Sequence, residues 1–152
     1  MNLLFDTNII LTVIRAKNYY GILKYLNPDN APVYVSVALE AEIKSIALLN
    51  SWGINRREKL DNFLDRINIV EINQLYINTY IEIDAYSQHR NPAFINYPFD
   101  TARNMGKNDL WIASLAALLG LRLLTTDADF DHLDKAFIEV NKISIESFSM
   151  YF

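Results

Sequence analysis

Five short apolar runs, separated by segments long enough for helices, constrain this chain more than any other feature. They are Leu3-Leu4-Phe5, Val33-Tyr34-Val35, Ile69-Val70-Glu71-Ile72, Leu121-Arg122-Leu123-Leu124 and the stretch from Phe137 to Val140. Between them Thr7 to Arg15, Tyr19 to Leu26, Val37 to about Ser51, Asn55 to Arg66, Gln74 to His89 and Asn108 to Leu119 read as helices. Asn27-Pro28 stops the second helix, Ser36 caps the third and Gly120 ends the sixth. Leu75, Ile77, Tyr80 and Ile81 supply the expected apolar stripe of the fifth helix. The stretch from Asn91 to Gly106 holds Pro92 and Pro98 and reads as a loop. Strands separated by helices imply an α/β fold whose parallel sheet is covered on both faces. Ligands of such sheets bind beyond the carboxyl ends of the strands.

The chain's 152 residues fit a single domain, 1–152, with one core. It has no cysteine, which excludes disulfides, thiolate metal sites and thiol nucleophiles. No apolar run is long enough to cross a bilayer. The opening residues meet Asp6 without a basic region, so no secretion signal is expected there and the cytoplasm is the expected location. With 14 Lys and Arg against 18 Asp and Glu the net charge is −4, unlike a simple electrostatic nucleic-acid binder. If five acids are gathered around cations, however, 14 positive charges face only 13 remaining negative ones. The question is whether the acids cluster.

Most have ordinary roles. Glu40 and Lys44 are four apart on a helix, and Glu58, Asp61 and Asp65 alternate with Arg56, Arg57, Lys59 and Arg66. Glu42 departs from that pattern, because Ala38, Leu39, Ser45 and Ile46 surround it on the helix face expected to meet the sheet. Asp6 ends the first strand, where an N-cap would also explain it. Asp109 opens the sixth helix, where the helix dipole favours an acid, yet it shares a face with Ile112, Ala113 and Ala116. Asp127 and Asp129 both follow the fourth strand, and one cap accounts for only one of them. In one parallel sheet these acids can converge on a single cleft. Two carboxylates about 4 Å apart repel by about 4 kcal/mol at an effective dielectric near 20, so such a cluster calls for protons or a cation. Oxygen-only ligands select a hard ion, Mg²⁺ or Mn²⁺. Metal-assisted phosphodiester hydrolysis is the matching chemistry and needs no protein nucleophile.

The segments carrying these acids resemble the PIN-domain ribonucleases, and among them the VapC-like toxins of type II toxin–antitoxin pairs. The matching pieces are Leu3-Leu4-Phe5-Asp6-Thr7-Asn8, Val35-Ser36-Val37-Ala38-Leu39-Glu40-Ala41-Glu42, Gly106-Lys107-Asn108-Asp109-Leu110-Trp111-Ile112-Ala113 and Leu124-Thr125-Thr126-Asp127-Ala128-Asp129-Phe130, in family order. The resemblance implies a three-layer α/β/α, Rossmann-like fold with a parallel sheet of four or five strands. It makes Asp6, Glu42, Asp109 and Asp127 the metal-site acids, Asp129 an additional one, and Asp6 and Asp109 the most direct ligands. Asn8, Ser36 and Thr126 would line the site. It further implies Mg²⁺ or Mn²⁺ dependence, endoribonuclease activity, a homodimer and a small antitoxin protein as partner. One departure is Ile43-Lys44-Ser45-Ile46 after Glu42, where the family often has a basic residue and a glycine.

The stretch from His89 to Lys107 carries Arg90, Arg103 and Lys107 and interleaves Phe94, Tyr97 and Phe99. Positive charge with stacking rings suits RNA, and a dimer interface would use the same aromatics. Two competing readings are a non-catalytic PIN-fold scaffold that binds RNA or protein, and a receiver-like signalling domain. The latter needs a phosphorylatable Asp at a middle strand end, where the third strand instead ends Glu71-Ile72-Asn73.

Overall fold

Leu3, Leu4 and Phe5 are buried on both sides of the backbone, as a strand must be when helices cover both faces of its sheet. In the computed structural model, which describes residues 1–152, they form β1 (Leu3–Phe5). The other strands are β2 (Val33–Ser36), β3 (Asn68–Val70), β4 (Arg122–Thr125) and β5 (Glu139–Lys142). All pairings are parallel, in the order β3-β2-β1-β4-β5, so β1 is central and Asp6 leaves the middle of the sheet. The helices are α1 (Thr7–Arg15), α2 (Tyr19–Leu26), α3 (Val37–Leu49), α4 (Ile54–Asp65), α5 (Ile77–Ser87) and α6 (Lys107–Leu119). They flank the sheet in the three-layer α/β/α arrangement. Ser36 caps α3 through the Leu39 N–H, and Gly120 ends α6 in the left-handed conformation, φ 64°. No helix is long and apolar enough to cross a membrane.

Most boundaries differ from expectation by one or two residues, and three of the differences have a visible cause. The edge strand β5 starts at Glu139 because Phe137 is drawn into a ring cluster on Tyr86. Strand β3 gains Asn68, whose Nδ2 donates to the Val33 carbonyl, and ends before Glu71. Residues Gln74–Tyr76 form a 3₁₀ turn capped by Asn73 rather than the first turn of α5. Most of the apolar stripe expected on that helix faces outward: Leu75, Ile77 and Ile81 are exposed and Tyr80 is half-buried against Trp111, while Ile83, Tyr86 and Ser87 are buried.

The 88–106 segment between α5 and α6 is a strap held down by its own rings. Phe94, Tyr97 and Phe99 surround Tyr86, and His89 stacks on Tyr97. Beneath it, Ser87 Oγ lies 2.7 Å from His132 Nε2 and 3.3 Å from Met105 Sδ. Burial, assisted by Arg103 and His89, lowers His132 from 6.5 to about 4. The folded chain therefore keeps this ring neutral, whereas the unfolded chain takes up a proton from pH 6.5 downward. Stability from the ring is complete above pH 6.5 and is lost as the pH falls towards 4. Relative to wild type, His132→Gln is expected to gain roughly 1–2 kcal/mol between pH 7 and pH 5, read from urea unfolding at both values. An unchanged difference would show that the ring does not titrate in that window.

Candidate metal centre

Asp6 is 5% exposed, and both of its oxygens are engaged. Oδ1 accepts the Thr7 N–H at 2.6 Å, capping α1, and Oδ2 accepts the Thr125 hydroxyl at 2.7 Å. That hydroxyl also accepts the Asp127 N–H at 3.0 Å. Asp127 in turn caps a 3₁₀ helix, Ala128–Leu133, through Oδ1 and the Asp129 N–H. The capping roles anticipated for Asp6 and Asp127 are thus real, and they fix both carboxylates at adjacent strand ends. Asp109 is half-buried in the first turn of α6. Carboxylate oxygens of Asp109, Asp127 and Asp129 all lie within 4.8 Å of one another.

Glu42 reaches the same region from α3. Its Oε2 accepts Asn108 Nδ2 at 2.7 Å and the Thr7 hydroxyl at 3.2 Å. Burial raises Asp6 above its ordinary 3.8 despite the Thr125 and Thr7 bonds, and the charges of Asp127 and Glu42 add to the rise. Burial likewise lifts Asp109 from 3.8 to about 6, helped by Asp6, Asp127, Asp129 and Glu42. The ion pairs of the molecule, Lys44–Glu40, Arg122–Glu139 and Lys142–Asp131, include none of these five acids. Five carboxylates therefore share one strand-end edge with no salt bridge to a protein cation. An oxygen-only donor set fits a hard divalent ion, which would relieve repulsion of about 3–4 kcal/mol per close pair. Asp129 is exposed and Asp127 half-buried, so the edge is open to solvent.

The remaining expected site residues are placed unevenly. Thr126 is half-buried between Thr125 and Asp127, and Asn8 is exposed on the first turn of α1. Ser36 is buried and its hydroxyl serves the α3 cap rather than an acid. Arg90 and Lys107 are exposed. Arg103 Nη1 donates to the Ala128 carbonyl. The aromatics of the strap, Phe94, Tyr97 and Phe99, are half-buried against Tyr86. Three polar residues that hold the acids were missed: Thr7, Asn108 and Thr125. Each is a chain neighbour of a recognised acid or of Thr126, but only the fold shows which way it points.

A parallel sheet with a carboxylate cluster at its central strand ends defines an α/β domain whose acidic cluster could hold a metal ion. The PIN domain family profile matches residues 3–136, and the chain belongs to that family. Among solved structures, it is similar to the VapBC2 complex from Rickettsia felis bound to a promoter DNA fragment, at 23% identity and TM-score 0.71, covering 93% of this chain and 98% of that one. It is similar to a toxin–antitoxin complex from Klebsiella pneumoniae, at 18% identity and TM-score 0.65, covering 94% and 99%. It is also similar to FitAcB from Neisseria gonorrhoeae, at 21% identity and TM-score 0.65, covering 92% and 96%. No curated protein matches the chain.

Proposed function

We propose that the chain, acting over residues 1–152 as one domain, is a Mg²⁺- or Mn²⁺-dependent endoribonuclease and the toxin of a toxin–antitoxin pair. The observation that carries this reading is the set of five acids, Asp6, Glu42, Asp109, Asp127 and Asp129, gathered at one edge with no salt bridge to any of them. Asp6, Glu42, Asp109, Asp127 and Asp129 would hold the cation between them, the oxygens of Asp109, Asp127 and Asp129 lying within 4.8 Å of one another. When bound, such a cation supplies Lewis acidity toward a phosphodiester and acidifies water. Thr7 and Asn108 fix Glu42 through Oε2. Thr125 orders Asp6 and Asp127 in the same network. Arg90 and Lys107, exposed at the two ends of the strap, are the cations available to an RNA backbone.

The structural neighbours that are toxin–antitoxin complexes support an antitoxin partner and a cytoplasmic setting. The exposed Leu75, Ile77 and Ile81 on and before α5 form an apolar face that suits a homodimer. The deciding experiment is incubation of total RNA with the wild type and Mg²⁺, with and without EDTA, beside Asp6→Asn, followed by mapping of the new ends. Discrete ends that require the cation and fall at least about 100-fold in Asp6→Asn are expected. A folded wild type that leaves RNA intact with both Mg²⁺ and Mn²⁺ would overturn the reading in favour of a binding scaffold.

A further inference from the structure

Arg103 is among the cations expected to meet RNA, yet its side chain has an internal partner. Its backbone N–H donates to the Ser87 carbonyl at 2.7 Å, which ties the strap to the end of α5. Its Nη1 donates to the Ala128 carbonyl at 2.9 Å. Ala128 stands between Asp127 and Asp129, two members of the carboxylate trio. The two ends of this link differ in rigidity. On the strap side, Met105 and Ser87 are buried and the rings of Phe94, Tyr97 and Phe99 close on Tyr86. On the acid side is a 3₁₀ turn, whose hydrogen bonds are poorer than those of an α-helix. The Asp129 N–H at its start is held by Asp127 Oδ1.

We propose that Arg103 is a positioning residue that pins the Ala128 carbonyl and so presets Asp127 and Asp129 as a pair of ligands for a divalent cation. The inference rests on the metal-centre reading above and deepens it. Arginine suits the task because its planar fork is fixed relative to its stem, whereas a lysine ammonium is a mobile point charge. Charge and position act in opposite directions here, which makes the proposal separable. A guanidinium close to the acids repels an incoming cation, so a purely electrostatic Arg103 would weaken metal binding and its removal would strengthen it. A positioning Arg103 strengthens binding, and its removal weakens it.

The test is calorimetric titration of Mn²⁺ alone into wild type, Arg103→Met and Arg103→Lys, with RNA cleavage measured separately at saturating Mn²⁺. Arg103→Met is expected to bind Mn²⁺ about 10- to 100-fold more weakly, the range typical for loss of a group that orients ligands. Arg103→Lys is expected to fall between it and the wild type. At saturating Mn²⁺ the KM for RNA should stay within about twofold of the wild type. Unchanged or tighter Mn²⁺ binding in Arg103→Met overturns the proposal, and so does a raised KM with unchanged Mn²⁺ affinity, which would make Arg103 an RNA contact. If Arg103→Met does not fold, wild-type Mn²⁺ affinity in Arg103→Lys overturns it instead. A wild type that binds Mn²⁺ but leaves RNA intact defeats the nuclease reading while the Mn²⁺ comparison still decides the role of Arg103. A wild type that binds no Mn²⁺ defeats both.

Discussion

Replacing Asp109 by Asn is expected to move stability and function in opposite directions. Without divalent cations at pH 7, Asp109→Asn should unfold a few degrees above the wild type, while its affinity for Mn²⁺ and its RNA cleavage fall at least about 100-fold. Burial, followed by the charges of Asp6, Asp127, Asp129 and Glu42, holds the Asp109 carboxyl at about 6 against an ordinary 3.8. The folded chain thus binds this proton more tightly than the unfolded chain. The resulting stability cost is full above about pH 6 and is relieved as the pH falls towards 3.8. The gap corresponds to about 3 kcal/mol, reduced by solvent screening at a half-buried group to about 1–2 kcal/mol. Asparagine keeps the shape and removes the charge. Scanning calorimetry in EDTA at pH 7 and pH 4 checks the sign, since at pH 4 the wild-type carboxyl is largely protonated and the advantage should shrink. An Asp109→Asn protein that is less stable at pH 7 and binds Mn²⁺ as the wild type does would remove Asp109 from the site.

How far the sequence reveals this site depends on which interaction is asked about. The central strand β1 is legible because both of its faces are covered, so it reads as an uninterrupted apolar run, and β4 is legible from Leu123-Leu124 despite its exposed Arg122. The edge strands β3 and β5 have one neighbour each and several exposed residues, and their limits shift with local contacts such as Phe137 on Tyr86. The outward face of α5 is misread for a related reason. Leu75, Ile77 and Ile81 have helical spacing, but spacing does not tell a face that meets the sheet from one left to a partner. The acids are legible as a set: Glu42 lies on an apolar helix face, and Asp6, Asp109, Asp127 and Asp129, each with an ordinary explanation alone, all fall at strand ends or helix starts. Their orienting residues are not. Thr125 and Thr126 are equivalent in sequence, and the choice between them is made by register. Phe5 pairs with Leu124, so Asp6 falls beside Thr125, and successive side chains on a strand face opposite ways. Arg103 is a further case: its charge is visible in the sequence, but its use on the Ala128 carbonyl depends on how the strap folds back.

Thr125→Val is expected to be the most disruptive near-isosteric change in the molecule. The Thr125 hydroxyl is the one group that joins the acid after β1 to the acid after β4, donating to Asp6 Oδ2 and accepting from the Asp127 N–H. Thr125 is fully buried, so no water is at hand to replace it. Valine fills the same volume, but the Asp127 amide loses its acceptor and an oxygen of the buried Asp6 loses its donor. Loss of a hydrogen bond to a charged group, with an unpaired amide left behind, costs about 2–4 kcal/mol. Burial already raises Asp6, and the Thr125 bond is the largest influence opposing it. Without that bond Asp6 holds its proton to higher pH, so the acidic limb of the cleavage profile should move upward and Mn²⁺ affinity should drop about 10- to 100-fold. Thr125→Ser keeps the hydroxyl and deletes one methyl group, at about 1 kcal/mol. Urea unfolding together with pH–rate profiles in Mn²⁺ distinguishes the causes. If the hydroxyl orders the acids, the valine variant shifts the profile and the serine variant does not. If Thr125 matters only for packing, the serine variant suffers more than the valine variant and neither shifts.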